Sequence, residues 1–229
     1  MRVLADREKS GAPQRIRVLL VEDHPVMRQG LALLLERETD MLVCGEADDV
    51  ASALRAALEL RPDVVVVDIT LKNSNGLDLI KELRRRAPLL PVLVFSIHDE
   101  AVYAERALQA GARGYVMKHE ATEKLLDAIR CLSRGESYFS EHVQERVLRQ
   151  AGRGGRQNRD SVQALSDREL QIFELVGRGL GTRVIAERLE ISVKTVESHL
   201  ARIKEKLDLK NHTELLQRAT LWVSEEDRN

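Results

Sequence analysis

Val64-Val65-Val66-Val67-Asp68 is the stretch that decides the fold. Four consecutive β-branched apolar residues suit a strand buried on both faces of a parallel sheet. The run ends on a carboxylate, and an unpaired charge is costly to desolvate. Asp68 is therefore expected at the open, C-terminal edge of the sheet, where folds of this class bind and react.

The same grammar repeats on either side. Ile16–Val21 is an apolar run closing with Glu22 and Asp23. Pro25 suits the first turn of a helix through Leu31, Leu34 and Leu35. Met41–Ala47 reads as a strand, and Val50–Leu60 as a helix stopped by Arg61-Pro62. Gly76 opens a helix through Leu79, Ile80 and Leu83. Pro91 precedes the strand Val92–Phe95, which ends at Ser96. A helix from about Glu100 to Gln109 ends at Gly111, the strand Tyr115–Met117 ends at Lys118, and a last helix spans Thr122–Leu132. Strand and helix alternate five times, which predicts an α/β doubly wound, five-stranded parallel sheet with right-handed crossovers.

Bulk composition narrows the function. The length of 229 residues suits two domains. Aromatics at 3% argue against an aromatic-lined pocket for a large ligand. The net charge of -1 means that nucleic-acid contact must come from a local basic patch. Cys44 and Cys131 form no CxxC pair and read as buried apolar residues in a reducing cytoplasm. No apolar run is long enough for a membrane helix. Residues 1–15 read as a disordered tail.

All C-terminal strand ends of a parallel sheet lie on one side, so Glu22, Asp23, Asp68, Ser96 and Lys118 should converge. Clustered carboxylates repel unless a cation intervenes, and Mg²⁺ is the hard ion that suits one or two carboxylates plus water. Lys118 adds fixed positive charge and Ser96 a hydroxyl. The set suits an anion held on or beside Asp68, such as a phosphoryl group, for which a carboxylate can serve as acceptor.

These residues, with Gly76 eight positions after Asp68 and Tyr115 three before Lys118, resemble the receiver domain of response regulators over about Ile16 to Arg134. The resemblance implies that Asp68 accepts phosphate from a sensor histidine kinase. It implies Mg²⁺ on Asp23, Asp68 and the Thr70 carbonyl, with Glu22 acting through water. Ser96 and Lys118 would contact phosphoryl oxygens, and Tyr115 would turn inward with Ser96. Two positions depart from the family: Lys72 stands where proline is frequent, and His119 where proline commonly follows the lysine. A cis bond after Lys118 would be costly without proline. His24 reads as a helix-entry residue. His98 lies close enough to bear on phosphoryl hydrolysis but reads as a solvated side chain.

The receiver is assigned to 16–137 and a linker to 138–162. Glu141–Gln150 could extend as a short helix, and the Gly/Arg-rich run 152–159 reads as a flexible tether. Gly177-Arg178-Gly179-Leu180-Gly181 follows a helix, so it reads as a helix end and turn, not a phosphate loop. From 163 to 229 the pattern is all-α. Ser166 with Glu169 forms a capping box, and Leu165 with Leu170 the accompanying staple. Thr182 is expected to cap a short helix, and Ser192 the next, after a tight turn at Glu190-Ile191. Val193, Val196, Leu200, Ile203 and Leu207 form one apolar stripe. The opposite face offers Lys194, Glu197, Ser198 and Ala201 with Arg202 and Lys206 at its margins, a surface suited to a major groove.

Leu165-Ser166-Asp167-Arg168-Glu169, Ile185-Ala186-Glu187-Arg188-Leu189 and Ile191–His199 resemble the NarL/FixJ (LuxR-type) four-helix helix-turn-helix domain. That resemblance implies DNA contact by Lys194, Thr195, Glu197, Ser198, His199, Ala201, Arg202 and Lys206, and a dimer surface on about Thr213–Trp222. Glu197 departs from the lysine of many relatives; an acid accepts from cytosine but repels phosphate. The reading is a cytoplasmic two-component response regulator that pairs as a homodimer when phosphorylated and binds double-stranded promoter DNA, with no membrane partner. A phosphate-independent regulator on the same fold is the alternative. An aspartyl-nucleophile phosphatase lacks its second acid in Asp68-Ile69-Thr70.

Overall fold

A computed structural model describes residues 15–71, 74–98, 100–141, 143–145 and 162–226. The tail before Arg15, Lys72, the end of the helix expected up to Gln150 and the Gly/Arg-rich run lie outside these residues.

The first domain is a five-stranded parallel sheet in the order β2 (Met41–Ala47), β1 (Ile16–Val21), β3 (Val64–Val67), β6 (Val92–Ser96), β7 (Gly114–Met117). Four helices link the strands, α1 (Pro25–Glu36), α2 (Val50–Leu60), α3 (Gly76–Arg86) and α4 (Glu100–Ala110), and α5 (Thr122–Ser133) follows the last. The all-valine strand is apolar throughout because both its faces are covered. Val65 and Val67 join one core with α2, α3 and α4, while Val64 and Val66 join the other with α1 and α5.

Register carries the site. Val21 pairs with Val67, so the next residues, Glu22 and Asp68, emerge side by side at the crevice between β1 and β3. This is where the strand order reverses, the position at which open α/β sheets bind ligands.

A two-residue hairpin between β3 and α3, β4 (Thr70–Leu71) with β5 (Ser74–Asn75), has no counterpart in the sequence reading. It returns the chain so that Gly76 N–H donates to the Ile69 carbonyl at 2.8 Å. A Cβ at Gly76 would lie 2.1 Å from the Asp68 carbonyl oxygen, which explains the glycine eight residues after the acid.

Past α5 the chain still belongs to the sheet: Tyr138 exchanges backbone hydrogen bonds with Arg113 and Tyr115, and Val143 is buried. Cys44 and Cys131, expected to be buried, are half-buried free thiols.

The second domain comprises a 3₁₀ turn (Val162–Ala164) and four helices, α6 (Asp167–Gly177), α7 (Thr182–Arg188), α8 (Val193–Lys206) and α9 (His212–Glu226). Ser166 and Glu169 form the expected reciprocal cap. Thr182 does not cap α7: Gly181 takes the N-cap position and no side chain bonds there. Ser192 Oγ does cap α8, accepting from Thr195 N–H at 3.0 Å. The turn between α7 and α8 is made by Glu190 in the left-handed region, φ 51°.

Gly76→Ala should destabilise the first domain by about 2–3 kcal/mol, because the added carbon meets backbone that cannot yield. Urea unfolding measures it. A second test concerns Arg130, which grips Asp40 at 2.8 and 3.0 Å and Glu38 at 2.7 Å. The guanidinium holds the Asp40 carboxyl below its usual value. That stabilisation is present above about pH 4 and is lost as pH falls through the lowered folded value. Arg130→Gln should therefore cost about 0.5–1 kcal/mol at neutral pH, the scale of a part-exposed pair, and much less near pH 3.

Candidate phosphorylation site and nucleic-acid interface

The expected residues converge. Lys118 Nζ donates to Glu22 Oε2 at 2.6 Å and to Asp68 Oδ2 at 2.8 Å, joining three separate strand ends. Glu22, Asp23 and Asp68 are 2%, 7% and 4% exposed. Thr70 N–H donates to the other Asp68 oxygen at 3.2 Å. The Lys118 amide donates to the Ser96 carbonyl at 2.7 Å, which fixes Lys118 beside β6. Ser96 is fully buried. No cis peptide occurs among the described residues, so the Lys118–His119 bond is trans.

Electrostatics at the cluster follow from burial. Desolvation pushes the Asp68 carboxyl up, opposed by Lys118 and reinforced by Glu22. Asp23 is also pushed up by burial, against the pull of His24. Burial pulls Lys118 down, but Asp68 and Glu22 outweigh it and leave the ammonium above its usual value.

Glu22, Asp23, His24 and Asp68 each bring a ligand atom within 4.8 Å of the others. The Asp23 Oδ1 atom is buried without a hydrogen bond; its near neighbour is His24 Nδ1 at 2.7 Å. An orphaned carboxylate oxygen among other carboxylates is the donor set a hard divalent ion needs. His24 is the helix-entry residue expected, and it also borders this cluster.

Tyr115 is buried, and its hydroxyl donates to the His98 carbonyl at 2.9 Å. His98 itself corrects the sequence reading. It is not solvated but 7% exposed, with Nε2 2.9 Å from Thr70 Oγ1 and Nδ1 2.9 Å from Glu174 Oε2 of α6. Its cover comes from Tyr103 of the receiver and from Glu174 of the second domain, which no local pattern around His98 could announce.

On α8 the apolar stripe faces inward from Val196 through Leu200 and Ile203 to Leu207, whereas Val193, expected to begin it, is exposed in the first turn. Lys194, Thr195, Glu197, Ser198, Ala201 and Arg202 are exposed together. Two expected contacts sit differently. His199 is half-buried, with a buried Nδ1 that has no hydrogen bond. Lys206 is held by Glu169 Oε2 at 2.7 Å, so its charge serves the α6 cap. No described helix is long and apolar enough to cross a membrane.

Comparison with known proteins agrees with both halves. Residues 18–130 match the response regulator receiver domain, and residues 163–219 match the luxR family of bacterial regulatory proteins. Transcriptional regulatory protein LiaR of Bacillus subtilis (strain 168) is 37% identical over 201 residues, 87% of this chain and 94% of that protein. Transcriptional activator protein ExaE of Pseudomonas putida is 37% identical over 201 residues, 87% of this chain and 93% of that protein. A crystal structure of a LuxR-family two-component response regulator from Aurantimonas sp. SI85-9A1 aligns with TM-score 0.56 at 32% identity, over 61% of this chain and 99% of that one. The RcsB response regulator of Salmonella typhimurium aligns with TM-score 0.63 at 25% identity, over 90% of this chain and 98% of that one. RcsB is also known as two dimers bound to two parallel DNAs, in a structure 26% identical with TM-score 0.53, over 89% of this chain and 97% of that one. A receiver implies a histidine kinase as partner and a LuxR-type domain binds DNA; the chain belongs to the two-component response regulators that join these two domains and regulate transcription.

Proposed function

We propose that Asp68 is the phosphoryl acceptor, and that its phosphorylation by a sensor histidine kinase controls binding of a homodimer to promoter DNA in the cytoplasm. One observation carries this reading: Lys118 spans Glu22 and Asp68 beside an Asp23 oxygen left without a hydrogen bond. An Asp68 oxygen attacks the donor phosphorus; the new O–P bond forms as the bond to the donor breaks, and the donor leaves with the electron pair. Water later attacks phosphorus, restoring the carboxylate and releasing inorganic phosphate.

Asp23, Asp68 and the Thr70 carbonyl would hold Mg²⁺, with Glu22 acting through water. When bound, the ion neutralises charge on the phosphoryl oxygens. Lys118 shifts from the carboxylate to a phosphoryl oxygen, and the Ser96 hydroxyl donates to another. The phosphoryl group adds roughly one to two negative charges. Drawing Ser96 and Lys118 to that charge moves the segment after β6 that carries His98 and the end of β7 that carries Tyr115, and so biases the receiver toward the paired form. Pairing sets two α8 helices to reach half-sites about one helical turn apart. Support for pairing comes from the likeness to RcsB, and for DNA contact from the exposed α8 face. Lys194, Ser198, Ala201 and Arg202 meet the duplex first, with Thr195, Glu197 and, less directly, His199 and Lys206 around them.

Acetyl phosphate with Mg²⁺ should label the wild-type chain and leave Asp68→Asn unlabelled. Equal labelling of both would discard Asp68 as the acceptor, and a chain that neither binds Mg²⁺ nor takes label would favour the phosphate-independent alternative. DNA binding should weaken by about a thousandfold between roughly 50 and 200 mM salt, since released counterions drive much of the affinity. Lys194→Ala should lower the slope of log K against log salt by about one. A salt-insensitive complex measured by fluorescence anisotropy would contradict the interface.

A further inference from the structure

We infer that Glu174, a residue of the DNA-binding domain, is a positioning residue for the chemistry at Asp68, acting through His98 and Thr70. The inference rests on Asp68 being the acceptor. Glu174 lies in α6 and is 6% exposed. A buried carboxylate is costly unless its partners are well placed. One set is local: Arg178 donates to Oε1 at 3.0 and 3.1 Å. The other set comes from the receiver. Tyr103 of α4 donates its hydroxyl to Oε2 at 3.2 Å, and His98 Nδ1 lies 2.9 Å from the same oxygen. Burial pushes the Glu174 carboxyl up, and His98 with Arg178 reverses this to leave it below its usual value.

His98 is a junction. Its ring stacks on Tyr103, with centroids 4.5 Å apart. Its amide donates to Ser96 Oγ at 3.3 Å, and its carbonyl accepts from Tyr115. Nε2 meets Thr70 Oγ1, and the Thr70 amide donates to Asp68. With Nδ1 2.9 Å from a carboxylate oxygen, the tautomer protonated there turns a positive edge toward Glu174, and this contact joins the Tyr103 stack and the Thr70 bond in orienting the ring. The contact is out of line for a full hydrogen bond and acts as an electrostatic one. Thr70 is thus held on one side by Asp68 and on the other by a ring that the second domain orients. Small misplacement of a group at a reacting centre slows chemistry steeply.

Arg106 provides the comparison. It docks the same domains by donating to the Leu165 carbonyl at 2.8 Å and to Asp167 at 3.0 Å, at the opposite end of α6 from Glu174. The test uses the full chain with Mg²⁺ and acetyl phosphate, and reads the rate of labelling and the rate of phosphate loss after donor removal. Glu174→Gln and Glu174→Ala should slow both by about threefold or more, and Arg106→Ala should change them by clearly less. In a His98→Ala background, Glu174→Gln should add nothing further. Wild-type or faster rates in Glu174→Gln would overturn the assignment. So would equal slowing in Arg106→Ala, or an effect that persists without His98. If the wild-type chain takes no label, the acceptor reading fails first, and this inference with it.

Discussion

The ammonium of Lys118 between two buried carboxylates is the interaction on which the rest of the molecule depends. Glu22, Asp23 and Asp68 bring three formal negative charges to a site almost closed to water. One lysine cannot balance three acids. The cluster tolerates the excess because Glu22 also accepts from the His24 amide at 3.1 Å, Asp68 accepts from Thr70, and Asp23 borders the partly solvated His24 ring. The remaining imbalance is chemically useful, since it leaves the edge open to a cation and then to a group that cation can hold. The sheet exists, functionally, to keep β1, β3 and β7 in the order and register that place these charges together.

Much of this was legible in the residues, for a physical reason. Strands covered on both faces must be continuous apolar runs, so Ile16–Val21, Val64–Val67 and Val92–Ser96 announced themselves, and parallel order put their ends on one edge. Glu22 and Asp68 followed from strand ends, and Lys118 and Ser96 from the same rule. What escaped was either too short or too distant to leave a period. The β4–β5 hairpin has two-residue strands and no alternation to read. Thr182 looked like a cap by residue type, yet Gly181 adopts the extended backbone that the N-cap requires. His98 looked solvated because polar loop residues usually are, and its cover comes from Tyr103 and from a helix more than seventy residues away.

That helix, α6, is read differently once the two domains are seen together. Its apolar residues Leu170, Phe173 and Val176 fill the second core as the spacing implied. Gln171 and Glu174 are buried as well. Glu174 meets Tyr103 and His98 of the receiver, Gln171 accepts from Arg168 of its own helix, and Asp167 at the helix start meets Lys81 and Arg106. Ionic and hydrogen-bonded contacts of this kind specify an orientation at the edge of an apolar cluster that runs from the receiver into the second domain.

The position of the dock bears on how control is exerted. With α6 seated on the receiver, the outward side chains of α8 are still exposed, from Lys194 to Arg202. Covering those side chains is therefore not the constraint that this arrangement imposes. What the dock does fix is the orientation of α8 relative to the receiver, since α6 and α8 share one core through Phe173, Val196 and Ile203. In the proposed homodimer two such helices would read a symmetric duplex only at a spacing near one helical turn, so the orientation set at this dock would bear on whether both can bind. The same contacts reach the acidic edge through His98. Asp68, Thr70, His98 and Glu174 thus form one line of contacts from the acidic edge of the receiver to α6.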